Sequence, residues 1–209
     1  MYQKPKDVVL PESSDMDALR RGTLAYLDLG YLLSNVSRYS LVISQATTPL
    51  EIAYYLKRQS RLLWVDQFFS DMSRDDLSET FIYSWTDSEN PNMDPNVTRA
   101  ELVRLFQLCN TEKLMSKEEY ESFISLPDEL TVYRGLGGIN IKNVKALSWT
   151  LDINKAKWFA KRFECLDPNI AVYKANISRK YVFAYINDRN EEEIILDYHK
   201  LKDIESIPL

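Results

Sequence analysis

The chain has 209 residues and a mass of 24.5 kDa, with 26 basic and 31 acidic side chains and a formal net charge of −5. Hydrophobic residues make up 45% and charged residues 27%, the balance of a soluble globular chain, which excludes extended disorder. Five glycines exclude a collagen-like chain, and two cysteines exclude a disulfide framework.

The charge is uneven. Residues 1–127 hold 13 basic and 19 acidic side chains, and residues 128–209 hold 13 and 12. Within 134–180 the count is ten basic against three acidic. An acidic total argues against a surface built throughout for nucleic acid. The basic stretch reads either as a solvated face or as a surface for phosphates. No segment has the apolar run of a membrane span. Met1–Leu10 lacks the apolar core of a secretory signal. A cytoplasmic chain without a membrane partner is expected.

In chain order, the first part reads as helical. A helix is expected from about Asp15 to Val36. Three capping boxes follow, at Thr48-Pro49-Leu50-Glu51, Thr98-Arg99-Ala100-Glu101 and Ser116-Lys117-Glu118-Glu119. Pro49 suits the first helical position, where its missing N–H costs nothing. Apolar residues recur at helical spacing after each cap: Ile52, Tyr55, Leu56 and Leu63, then Leu102, Leu105 and Phe106, then Tyr120 and Phe123. The stretch Asp87–Asn96 is dense in turn residues and reads as an exposed loop.

The character changes near Leu126-Pro127-Asp128. Strands are expected at Leu130–Arg134, Val144–Trp149, Ala171–Ile177, Tyr181–Ile186 and Glu192–Leu196, all rich in Val, Ile, Tyr and Phe. One helix interrupts them. Asp152 is its N-cap, and Ala156, Phe159, Ala160 and Phe163 lie on one face, packed on the sheet. The class is α+β: a helical lobe over 1–127, then a mostly antiparallel sheet carrying a packed helix over 128–209.

Three segments in the second part carry candidate chemistry. Arg134-Gly135 ends a strand; an Arg there can clamp a diphosphate, and Gly lets a ligand approach the backbone. A turn explains the same pair. Ser148 and Thr150 alternate on a strand and share a face, as capping or edge residues also do. Glu191-Glu192-Glu193 runs directly into an apolar strand, with Glu191 and Glu193 on one face and Glu192 on the other; an acidic turn is the commoner origin of such a run. His199 and the cysteines have no ligand spacing, so no metal site is expected. The tryptophans Trp64, Trp85, Trp149 and Trp158 read as packing residues, with Trp149 an alternative wall for a ligand.

Together, the order Arg, Ser-x-Thr before a helix, and Glu-x-Glu on a late strand resembles the arginine–serine–glutamate class of mono-ADP-ribosyltransferases. Leu147 before the Ser, Ala156–Ala160 on the helix and Ile194-Ile195-Leu196 after the second acid fit as well. Trp149 and Thr150 depart from the class's Ser-Thr-Ser. The resemblance covers 128–209 only.

It implies a β-sandwich of the ADP-ribosyltransferase type, with NAD as co-substrate and no metal. It implies Glu193 as the catalytic acid at the ribose, Ser148 holding that carboxylate, and Thr150 supporting strand or ribose. Arg134 would bind the NAD phosphates and the Gly135 backbone the nicotinamide amide. Glu191 would orient or deprotonate the acceptor, and the loop 187–190, with Tyr185 or Arg189, would recognise it. Arg162 is a second candidate for the diphosphate, or serves its helix dipole. The acceptor is a macromolecule, protein arginine before RNA or DNA. An intracellular toxin with a cognate antitoxin, a phage-defence protein and a phage host-takeover enzyme all suit such a chain. An NAD glycohydrolase and an inactive binding module of the same fold are the alternatives.

Overall fold

The computed structural model describes residues 8–28, 36–138, 141–162 and 168–209. The chain divides into two compact units, Met1–Leu114 and Met115–Leu209. The division lies upstream of the boundary expected at 127, because the helix between these points packs on a strand of the second unit.

The first unit is helical: α1 (Met16–Asp28), α2 (Val36–Gln45), α3 (Pro49–Tyr55), α4 (Arg58–Phe68), α5 (Arg74–Asp87) and α6 (Arg99–Leu108). The helix expected from Asp15 to Val36 is α1 at its start; residues 29–35 lie outside the described residues. Thr98 and Glu101 form the expected capping box of α6. At α3 the box differs. Thr48 Oγ1 accepts from the Glu51 amide at 3.2 Å, but the Glu51 carboxylate takes the Thr47 amide at 2.6 Å. The apolar run after Thr48 is two helices, because Leu56 and Lys57 are extended. Ser73 supplies a cap that the spacing did not suggest, accepting from the Asp76 amide at 3.2 Å. The core of this unit includes Leu19, Ile52, Leu62, Trp64, Phe81, Trp85 and Leu105, all fully or almost fully buried. Phe106 closes on Phe81 and Trp85, with ring centroids 4.5 and 5.2 Å away.

The second unit opens with α7 (Lys117–Ser125), capped by the full Ser116–Glu119 box. Then come β1 (Glu129–Gly137), β2 (Ser148–Thr150), α8 (Ile153–Lys161), β3 (Ile170–Ser178), β4 (Val182–Ile186), β5 (Glu193–Leu196) and β6 (Lys202–Ile207). All described strands join one antiparallel sheet in the order β4-β5-β2-β1-β3-β6. The expected α+β class holds, but the expected sandwich is a single sheet among the described residues. The strand expected over Val144–Trp149 shrinks to Ser148–Thr150. The Arg134 guanidinium takes the carbonyls of Asn143 and Ser148 (Nε to Asn143 at 3.1 Å), so a side chain binds what a neighbouring strand would have bound. Strand β6 was not expected. It is an exposed, charged edge, interrupted where Asp203 adopts φ 51°.

Two clusters pack on opposite faces of this sheet. On one face are Leu130, Val132, Trp149, Ala175, Ile177, Val182, Ile194 and Leu196. On the other, Ala156 and Ala160 of α8 lie against Val172 and Tyr133. Small residues bring the α8 backbone onto β1. A Cβ on Gly135 would lie 1.8 Å from the Ala156 carbonyl oxygen, so the position admits only glycine. Phe163, expected on this face, and Cys165 lie outside the described residues. Among the described residues, no helix is long and apolar enough to cross a membrane.

Candidate active site

The three candidate segments lie on three consecutive strands at the middle of the sheet, β5, β2 and β1. Thr150 is the register partner of Glu193 on one side and of Tyr133 on the other. Ser148 lies two residues earlier on β2, opposite Ile195. Directly opposed residues share a face, as do residues two apart on a strand. Ser148, Thr150 and Glu193 therefore lie on the face that carries α8, with Tyr133. Arg134 pairs with Tyr173, which packs on the Trp149 cluster, so Arg134 leaves β1 on the other face. Its guanidinium then donates to the Ser148 carbonyl. It meets the Ser148 strand through the main chain. Gly135 is covered by α8 and faces its surroundings through main-chain atoms alone.

Thr150 is buried, and its hydroxyl makes two bonds that fix the site. It donates to the Glu191 carbonyl at 2.8 Å and accepts from the Asp152 amide at 3.1 Å. One hydroxyl thus ties the approach to β5 to the N-cap of α8, where Asp152 accepts from the Asn154 amide at 2.7 Å. The β2–β5 ladder continues past the strand ends, with the Leu151 amide on the Glu192 carbonyl at 3.2 Å.

The three glutamates do not alternate as a strand would. Strand β5 begins at Glu193, and Glu192 adopts φ 47° in the left-handed region. Asn190 is also left-handed, at φ 54°. Asn187 organises this turn: its carbonyl accepts from the Asn190 amide at 2.9 Å and its Oδ1 from the Glu192 amide at 3.0 Å. Glu191 and Glu193 are each half-buried. Glu191 lies 3.6 Å from the Arg189 guanidinium.

Residues outside the sequence motifs hold the turn. Glu119 caps α7 through Oε2, and its Oε1 accepts from the Asn187 amide at 2.6 Å. The Tyr185 amide points at Met115 Sδ, 3.3 Å away. Burial raises the Tyr185 phenol above its ordinary pKa, and the negative charges of Glu192 and Glu119 add to the effect. The Ser116 capping box was the only sequence signal for Glu119, and it pointed to a local role.

Trp149 lies on the face opposite Ser148, Thr150 and Glu193, the face on which Arg134 leaves β1. It is buried in the cluster there, with Nε1 donating to the Ala146 carbonyl at 2.9 Å. Trp158, expected to pack, is instead 55% exposed, because α8 turns Ala156 and Ala160 to the sheet. Arg162 sits over the Trp158 ring, 5.6 Å from its centroid. His199 Nδ1 lies 2.9 Å from Asp197 Oδ1. Among the described residues, no cluster of three or more His, Cys, Asp and Glu side chains forms a metal site.

Compared with known protein families, with curated proteins and with solved structures, the chain matches none.

Proposed function

We propose that the chain is an NAD-dependent mono-ADP-ribosyltransferase with a macromolecular acceptor, protein arginine favoured, and that its sheet is a variant of the ADP-ribosyltransferase fold. The observation that carries this reading is the adjacency of β1, β2 and β5, with Thr150 paired to Glu193. Segments far apart in sequence, each carrying one part of the arginine–serine–glutamate pattern, become hydrogen-bonded neighbours. An acidic turn, a capping pair and an Arg-Gly turn arising independently have no reason to meet.

In the reaction the bond from ribose C1′ to the nicotinamide nitrogen breaks, and nicotinamide leaves with the bonding electrons. C1′ becomes oxocarbenium-like, then bonds to the acceptor nitrogen, whose proton passes to a base. Glu193 supplies fixed negative charge at the ribose, the largest single help to such a transition state. Ser148 orients that carboxylate, and Thr150 holds the backbone before it. Glu191 is the base for the acceptor. Its neighbour Arg189 supports the acceptor class, since the carboxylate already accommodates a guanidinium. The resemblance gives Arg134 the NAD diphosphate; with its side chain leaving β1 on the face opposite Glu193, that role would require it to give up the Ser148 carbonyl and reach a phosphate around β2. Gly135 would contribute main-chain atoms to the nicotinamide amide.

The test is incubation with labelled NAD and a whole-cell lysate, followed by protease or nuclease digestion. Label released by protease and resistant to nuclease is expected. Label lost only to nuclease would overturn the arginine acceptor. Free ADP-ribose without labelled polymer would make the chain an NAD glycohydrolase. Unconsumed NAD would remove the reading altogether.

A further inference from the structure

We infer that the outer face of α8 is a binding surface for single-stranded nucleic acid, with Trp158 as the base-stacking platform and Lys155, Lys157, Lys161 and Arg162 as the phosphate contacts. The inference does not rest on the transferase reading, and NAD plays no part in it.

The first observation is the exposure of Trp158, at 55%. Its helix is fixed to the sheet by Ala156 and Ala160, both fully buried, so the indole is held outward by packing on the opposite side. The indole meets the Phe159 ring edge to face at 5.0 Å, and more than half of its surface stays open to solvent. The second is what surrounds it. Lys155 and Lys161 are three residues away on either side and Arg162 is four, the spacings that share a helix face. Lys157 adjoins them. From Ile153 to Arg162 there is no acidic residue, and Asp152 is engaged in capping. Lys155, Lys157 and Lys161 make no ion pair among the described residues, whereas Arg58 and Lys113 of the first unit pair with Asp87 and Glu79. The third is Arg162 lying over the indole, which places a guanidinium plane beside the ring.

The chemistry selects the partner. Lys155, Lys157 and Lys161, without an ion pair among the described residues, ask for an anion, and the exposed ring asks for a flat apolar group between those anions. A single-stranded nucleic acid presents both along its length, and every base has a face to stack. A duplex hides its bases. An anionic membrane surface favours a helix with several exposed large apolar residues on one face, and Trp158 is the single exposed one of α8, Phe159 beside it being half-buried. The helix dipole explains cations in the last turn, Lys161 and Arg162, but neither Lys155 and Lys157 nor the outward indole.

The experiment is fluorescence anisotropy of the full chain with a labelled twelve-nucleotide oligo-U or oligo-dT, without NAD, against the matching duplex and phosphatidylserine vesicles. Binding is expected at low salt, with quenching of tryptophan fluorescence. Trp158→Ala should weaken it by about 5- to 150-fold and Trp158→Phe by much less, as stacking is worth roughly 1–3 kcal/mol per base. Lys157→Gln with Lys161→Gln should lower the salt dependence, with a slope change of about 0.7 per lost phosphate contact. Thermal midpoints check that each variant is folded; if Trp158→Ala does not fold, the paired lysine variant decides. No binding to either oligonucleotide overturns the inference. So does binding unchanged by these substitutions, equal affinity for the duplex, or Trp158-dependent binding to vesicles alone.

Discussion

Glu191, Glu192 and Glu193 are consecutive in the chain, yet their environments differ. Glu193 opens β5 opposite Thr150, Glu192 takes the left-handed turn, and Glu191 faces Arg189. A strand reading of the triplet put Glu191 and Glu193 on one face; the left-handed residue between them breaks that alternation. Thr150 is the hinge of the arrangement. Thr150→Val keeps the shape but strands the Glu191 carbonyl and the Asp152 amide, and should cost about 1–3 kcal/mol in chemical denaturation. Thr150→Ser keeps both bonds and should lose far less. Gly135 was read as leaving room for a ligand, and the structure gives that room to α8. Gly135→Ala should destabilise the fold by about 3 kcal/mol or more, since backbone rather than a movable side chain is in the way. Cys109 belongs to the same scale. Burial pushes its thiol up to about 12 from an ordinary 9.0. The native state thus favours the protonated thiol, so the stability linked to this group is complete below pH 9 and falls as pH rises towards 12. In a Cys165→Ser background, iodoacetamide at pH 8 should leave the native thiol unmodified and alkylate it in denaturant. Rapid native labelling would contradict the burial.

At the scale of elements, the turn between β4 and β5 depends on α7. The Glu119 side chain caps its own helix and holds the Asn187 amide, while Asn187 holds Glu192. Glu119→Ala removes a cap and a tertiary bond together, for a loss of about 1–2 kcal/mol. It should also slow turnover more than it weakens NAD binding, because it loosens the approach to Glu193 without touching the Arg134 strand. An unchanged rate with the same stability loss would make Glu119 purely structural. The capping boxes at Thr98 and Ser116 were legible in the sequence because each is decided within four consecutive residues. Strand extent was less so. Residues 144–147 have strand composition, but Arg134 takes the neighbouring carbonyls. Strand β6 has the charges of a loop and pairs only because β3 offers an open edge.

At the scale of the molecule, the α+β class was legible because helical and strand periodicities occupy separate parts of the chain. The candidate site was legible as three segments but not as a geometry. Nothing local in Arg134 says that it leaves the sheet on the face opposite Glu193, and nothing in the α8 sequence says that Trp158 turns outward. The charge division follows the same lines: the acidic excess lies in the first 127 residues, and the basic stretch 134–180 contains Arg134, Ser148, Thr150 and α8. The central claim is that Glu193 drives cleavage of NAD. The most direct test is the rate of nicotinamide release from NAD by the purified chain and by Glu193→Gln, with arginine-rich protein as acceptor. The account predicts release by the native chain and a fall of ~10²–10⁴ in the variant at an unchanged thermal midpoint. Equal rates from the two proteins, or no release by the native chain, would contradict it.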